Sequence, residues 1–269
     1  MIDMFDEDFD SLPLAEGALI LNHAIDESTQ VDWAKQEMAR LFAELELELV
    51  HERDDKQRLA SFLRIFYHQW GFKGDTTAYY RSENAFIDKV LESRKGIPVS
   101  LGALLLYFGR QLGLPLEGIA FPTQFVVRAN WDDEIEYINP FNGEYVSEHT
   151  LRAWLIGSDG PLVTLKEEHL EVTDNPTVIG RWLALLKSTL LNEEKYLLAL
   201  KCTDLALNFI PDDPYEIRDR GFIYQQLDCT NIAISDYEYF IEQCPEDPAA
   251  ELLKGQVSKM SEDSAVVVH

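Results

Sequence analysis

The period of the apolar positions changes along the chain and divides it into blocks. From Val31 to His51, Trp33, Met38, Phe42, Leu45 and Leu49 recur at the spacing of a helix face. Leu45, Leu47 and Leu49 also alternate like a strand, but the longer pattern and the helix-forming Glu and Leu decide for helix. Lys56 to Trp70 repeats the pattern with Leu59, Phe62, Ile65 and Phe66, and His68 is expected there as a partly buried packing residue. Gly71-Phe72-Lys73-Gly74-Asp75 reads as a turn. A third helix is predicted from Asn84 to Ser93, stopped by Arg94-Lys95-Gly96, basic residues and then glycine. Residues 14–95 thus form a helical region.

After Gly96 the pattern loses its polar face. Pro98 suits the first turn of a helix, and Val99 to Leu112 is apolar nearly all round, so that helix is expected to be covered on several sides. Gly102 and Gly109 lower helix propensity and are expected to admit neighbouring backbone. Gly118–Ala129, containing Phe125-Val126-Val127, and Glu134–Asn139, with Ile135 and Tyr137 alternating against Glu134 and Glu136, are strand candidates. Asn139-Pro140-Phe141-Asn142-Gly143 ends the second with turn residues. A helix followed by antiparallel strands over 96–145 makes this part an α+β core.

Residues 180–259 return to helix with an internal period. Ala199 and Ala233, Thr203 and Tyr237, Leu207 and Ile241, and Pro211 and Pro245 each stand 34 residues apart, the tetratricopeptide spacing. Gly221 keeps the small-residue pattern, whereas Lys187 breaks it at the corresponding position of the first unit. Pro248–Lys259 would close two repeats, and the chain from about Met260 to residue 269 is expected to fray.

Charge sharpens this division. The chain has 269 residues, 48 Asp and Glu against 23 Lys and Arg, and a net charge of −25. Gly96–Trp131 holds one acid, Glu117, and two bases, Arg110 and Arg128, so this near-neutral window marks the interior. The first 50 residues carry 13 acids and 2 bases, and residues 1–13 are expected as a solvated acidic arm. Nucleic acid and anionic membrane both need a cationic surface and are excluded as partners. Cys202, Cys229 and Cys244 are three, late, and without a C-x-x-C, which excludes a disulfide framework and a cysteine zinc site. The acidic N-terminus is unlike a signal peptide, and the apolar run Val99–Gly109 is about half the ~20 residues that span a bilayer; a cytoplasmic protein is expected. The six histidines show no metal-ligand spacing, and no phosphate or dinucleotide fingerprint is present, so no metal or cofactor is expected.

Four separated motifs carry a resemblance: Arg94-Lys95-Gly96-Ile97-Pro98-Val99-Ser100-Leu101, Leu112-Gly113-Leu114-Pro115, Phe121-Pro122-Thr123-Gln124-Phe125-Val126-Val127-Arg128, and Asn139-Pro140-Phe141-Asn142-Gly143. Together they resemble the bacterial SirB/YchA-type family over about residues 10–255. The resemblance implies a transglutaminase-like, papain-like α+β domain over 14–175, its helical N-terminal region packed on the core, then an all-α tetratricopeptide region, in a regulatory setting. It also implies a cysteine at the start of the central helix, with a histidine and an aspartate on the following strands. Here Pro98 holds the cysteine position, or Ser100 if the alignment shifts by two residues; Gln124 replaces the histidine and Asn139 the aspartate. Gln and Asn hydrogen-bond but cannot take up a proton, so the chemistry of a thiolate–imidazole pair is lost. The site is expected to be a structural polar cluster. The alternative is a hydrolase or acyl-transfer enzyme that uses Ser100; His149, which reads first as an exposed histidine in the first turn of a helix, could in principle approach it.

A tetratricopeptide module presents a concave face lined by the first helix of each repeat. In this register that face includes Arg181, Ala184 and Ser188, then Tyr215, Arg218, Phe222 and Gln225. Arg181 and Arg218 beside aromatics suit an acidic or C-terminal peptide of a protein partner. The same face could instead pack against the first domain, with its arginines paired to the chain's own acids.

Overall fold

The computed structural model describes residues 11–132 and 134–267 and divides into two units, one ending at Trp182 and the other beginning at Leu183. Of the acidic arm expected over 1–13, residues 1–10 lie outside the described residues.

In the first unit α1 (Leu14–Ile25), α2 (Val31–Glu48), α3 (Asp55–Arg64) and α4 (Ile87–Ser93) precede the central helix α5 (Pro98–Gln111). Asp54 caps α3 by accepting from the Gln57 N–H. Past Arg64 the chain widens into a π-helical turn, Ile65–Gln69, instead of continuing as α-helix to Trp70. The extra residue in that turn brings His68 out: it is exposed, not partly buried packing. α4 stops as the sequence predicts, with Arg94 in the left-handed region at φ 59°. The predicted turn after α3 and this helix stop then pair as two short parallel strands, β1 (Lys73–Gly74) and β2 (Lys95–Gly96).

Arg94 also ties α2 to this pair. Its guanidinium lies 4.7 Å over the Phe72 ring and bonds to Glu37, which Arg40 grips from the other side. The Arg40 and Arg94 bonds outweigh burial and hold the Glu37 pKa near 2, below its ordinary 4.5. A depressed carboxylate pKa stabilises the fold above the unfolded value, and that stability fades as pH falls from 4.5 toward 2. After allowance for solvent screening the contribution is on the order of 2 kcal/mol. Glu37→Gln is expected to lower stability at neutral pH and flatten the acid limb, read from thermal denaturation between pH 7 and 3. An unchanged acid limb would contradict the assignment.

The main sheet is antiparallel in the order β3 (Leu116–Ala120), β4 (Phe125–Asn130), β5 (Ile135–Ile138), β6 (Tyr145–Val146). Gly118–Ala129 is therefore not one strand. Pro122 has no N–H to give a ladder, and Phe121–Gln124 turn the chain back so that Ala120 faces Phe125. Ile119, Val126 and Tyr137 share the face covered by Leu151 and Leu155 of α6 (Glu148–Asp159). The Ser147 hydroxyl caps α6 by accepting from the Thr150 N–H. On the other face α5 approaches closely. What its glycines admit is side chains, not backbone: a Cβ at Gly102 would stand 2.5 Å from the Phe125 ring, and one at Gly109 2.5 Å from Leu116. The near-neutral window is indeed interior, with Leu101, Ala103, Leu104, Leu105 and Phe108 of α5 all fully buried.

Helix α7 (Asn175–Asn192) runs from the first unit into the second, where α8 (Tyr196–Phe209), α9 (Pro214–Gln226), α10 (Thr230–Gln243) and α11 (Pro248–Val267) follow. The 34-residue period is visible in backbone geometry. Glu194 and Asp228 both take positive φ, at 58° and 59°, and the Lys195→Leu190 and Cys229→Tyr224 backbone bonds repeat at 2.9 and 2.8 Å. Asp213-Pro214 and Asp247-Pro248 start α9 and α11 alike, each aspartate accepting backbone N–H bonds in the first turn. Gly221 lets α9 touch α10, since a Cβ there would lie 3.0 Å from the Tyr237 ring. α11 continues to Val267, past the fraying expected from Met260, because no proline or glycine interrupts that stretch.

Candidate functional site

Pro98 is the first residue of α5 and is buried. Ser100 lies two residues on, with no exposed surface. Its hydroxyl donates to the Asn84 carbonyl at 2.6 Å and accepts from the Ile97 N–H at 3.1 Å. The hydroxyl therefore satisfies an otherwise orphaned N–H at the helix start and fastens the segment before α4 over it. A Cβ at Gly96 would meet Ser100 Oγ at 2.7 Å, so the hydroxyl is enclosed on that side as well.

The strands bring the other two positions together. Gln124 immediately precedes β4 and Asn139 immediately follows β5, and the amide of Gln124 donates to Asn139 Oδ1 at 3.5 Å. Asn139 Oδ1 also accepts from the Phe141 N–H at 3.0 Å, while the Asn139 carbonyl takes the Gly143 N–H at 2.8 Å. Gly143 at φ +77° allows this tight turn and leaves room for the Tyr67 ring, which a Cβ would meet at 2.4 Å. Gln124 and Asn139 thus orient each other and the turn, but neither is among the hydrogen-bond partners of the Ser100 hydroxyl. His149 is exposed in the first turn of α6 and is likewise no partner of Ser100. Asn84 and Asp75 were not foreseen. Asn84 is buried and spans the loop by donating to Ala78 O at 2.7 Å, while Asp75 Oδ1 accepts from the Thr77 and Ala78 N–H groups at 3.0 Å each. The signal was the turn-forming Asp75, Ser82 and Asn84 at the two ends of this segment.

The residues expected on the repeat face fare unequally. Arg181 belongs to the first unit and donates to the Ala120 and Phe121 carbonyls, so its guanidinium is committed within the chain. Gln225 turns inward, its Oε1 accepting from the Tyr237 hydroxyl at 2.8 Å and from Gln256 at 2.5 Å. Arg218 bonds to Asp219 at 2.8 Å and lies over the Tyr215 and Phe240 rings at 5.4 and 5.3 Å. Tyr215 and Phe222 stay open on α9, at 48% and 43% exposure. Lys187 is buried and bonds to Glu216 at 2.8 Å and Asp219 at 2.7 Å, both on α9. Burial works against its charge, but the two carboxylates prevail and raise its pKa above the ordinary value. Cys202 is buried, and burial pushes its thiol pKa well above the range of a reactive thiol. Among the described residues no group of three or more His, Cys, Asp or Glu is placed to hold a metal ion, and no helix is long and apolar enough to cross a membrane.

Comparison with known proteins agrees with this architecture. The family model of the transglutaminase-like superfamily matches residues 32–184, and a tetratricopeptide repeat model matches 186–258. A UPF0162 protein of Vibrio cholerae is 66% identical over 100% of both chains. Protein SirB1 of Salmonella typhimurium is 39% identical, and UPF0162 protein YchA of Escherichia coli 40% identical, each over 99% of this chain and 100% of the relative. No solved structure matches.

Proposed function

Because the chain belongs to the transglutaminase-like family that includes SirB1 and YchA, with C-terminal tetratricopeptide repeats, we propose that it is a binding or scaffold protein that has kept the transglutaminase-like fold without the acyl-transfer chemistry. One observation carries this reading: the Ser100 hydroxyl is fully buried and held by the Asn84 carbonyl and the Ile97 N–H. A nucleophile needs a base in hydrogen-bond reach and a face open to substrate. Ser100 has backbone groups on it instead, and the residues at the other two positions, Gln124 and Asn139, have no proton to exchange near neutral pH. The enzyme alternative would require this cluster to open and a histidine to move in.

Binding then falls to the repeats. Arg181 is committed within the first unit, so the surface for a protein or peptide partner centres on α9. Tyr215 and Phe222 offer half-exposed rings there, and Arg218, stacked on Tyr215 and paired with Asp219, puts a guanidinium beside them. Aromatic anchors beside an arginine are the residue types that carry most binding energy at interfaces. Selection from a peptide display library on the full chain should enrich acidic or C-terminal peptides, and Phe222→Asp should weaken their binding about tenfold or more. Enriched peptides that bind Phe222→Asp and Arg218→Glu undiminished would remove α9 from the reading.

A further inference from the structure

We infer that the first unit holds a binding site for a small oxyanion, the phosphoryl or carboxylate group of a metabolite-sized molecule, in the cleft where β1 and β2 run side by side. The cleft has a volume of about 410 Å³, within the range of small-molecule sites, and its wall includes His68, Lys73, Asp75, Thr77, Lys95 and Phe141. This proposal concerns different side chains from the Ser100–Gln124–Asn139 cluster and stands whether or not that cluster is catalytic.

Lys73 and Lys95 are direct partners across the parallel pair β1–β2. Neighbouring strands lie about 4.8 Å apart, and partners share a face, so the two lysine side chains leave the backbone side by side, where like charges repel. Among the described residues neither lysine closes an ion pair, although the chain carries 48 acids, more than twice its 23 Lys and Arg. Such an arrangement costs stability until an anion bridges it.

The surroundings supply donors and shape. The π-helical turn carries Tyr67 and the exposed His68 to the rim, and such turns often mark functional sites. Thr76 and Thr77 add hydroxyls. Phe141 forms one wall and is fixed from two directions: its carbonyl accepts from the Gly74 N–H at 2.7 Å, and its ring lies against Gly74, where a Cβ would stand 2.2 Å away. The Tyr67 hydroxyl donates to the Pro140 carbonyl at 2.6 Å and holds the same turn. Asp75 is the one acid in the wall. Burial works to raise its pKa, but the Ala78 and Thr77 N–H groups and the nearby Lys95 charge hold it low, so it remains a carboxylate committed to shaping the loop. The two lysines outnumber it, which leaves the cleft cationic in a chain of net charge −25.

The test is calorimetric titration of the full chain with inorganic pyrophosphate and with citrate at matched ionic strength, beside Lys73→Gln, Lys95→Gln and the double variant. Saturable binding is expected for at least one anion, and the stronger of the two distinguishes a phosphoryl from a carboxylate ligand. Each single substitution should weaken it about tenfold, as loss of one charge-assisted contact does, and the double variant should not bind. Without ligand, Lys73→Gln should melt no lower than the parent, because the substitution relieves repulsion. No binding of either anion to the parent chain, or equal binding to the double variant, overturns the proposal. A Lys73→Gln variant that melts clearly lower also overturns it, since that lysine would then be a structural partner within the chain.

Discussion

Lys187→Ala is expected to destabilise the repeat unit by about 3 kcal/mol, the usual cost of removing one partner from a buried ion pair. The lysine side chain is 9% exposed, and the carboxylates it joins, on Glu216 and Asp219, are 19% and 27% exposed. Removing the cation leaves Glu216 without its partner and Asp219 held by Arg218 alone. It also strips a long aliphatic stem from between α7 and α9. Replacing the whole group with Lys187→Met, Glu216→Gln and Asp219→Asn should recover most of the loss, since no unpaired charge is then buried. Chemical denaturation of the full chain checks both variants. A single variant within about 0.5 kcal/mol of the parent would make the group equivalent to a surface salt bridge.

Gly102→Val is expected to damage the first unit severely, costing about 3 kcal/mol or more. The Phe125 ring is wedged between two glycines: a Cβ on Gly102 would stand 2.5 Å from it, and one on Gly118 2.7 Å. Phe125 is 6% exposed, and Pro140 lies on the same side of Gly102 at 3.3 Å from that Cβ. The ring has no direction in which to yield. A new side chain on α5 must therefore push β4 away, and Gln124, the residue before Phe125, moves with it. Gly102→Val combined with Phe125→Leu should recover part of the loss, because the smaller side chain frees the space. Denaturation midpoints of the single and double variants measure the coupling. Independent, additive losses would show that the two residues do not share this contact.

Local periodicity carried most of what the sequence made legible. The helix faces of α2 and α3, the stop at Arg94 and the 34-residue period all depend on residues near one another, and Glu194 and Asp228 repeat the same turn geometry. What escaped depends on distant partners. Lys187 looks like a defect in the repeat until Glu216 and Asp219, 29 and 32 residues on, are brought beside it. Arg181 has the residue type for a peptide groove, but its partners are two carbonyls some 60 residues upstream. The site shows the same division. Residue types alone indicated that Gln124 and Asn139 could pair, and the strands pair them. That Ser100 serves the N-terminus of α5 required the Asn84 carbonyl, which no spacing reveals. The cleft between β1 and β2 was hidden because each strand is two residues long and read as a turn or a helix stop.

The central claim is that the transglutaminase-like unit holds no working nucleophile, and covalent labelling tests it most directly. The full native chain is treated separately with a fluorophosphonate and with iodoacetamide, and the adducts are located by peptide mass spectrometry. The account predicts no fluorophosphonate adduct at Ser100. It predicts alkylation of the exposed Cys229 first and of the half-buried Cys244 more slowly, with Cys202 modified only after unfolding. A stoichiometric fluorophosphonate adduct on Ser100 of the folded protein would contradict the account.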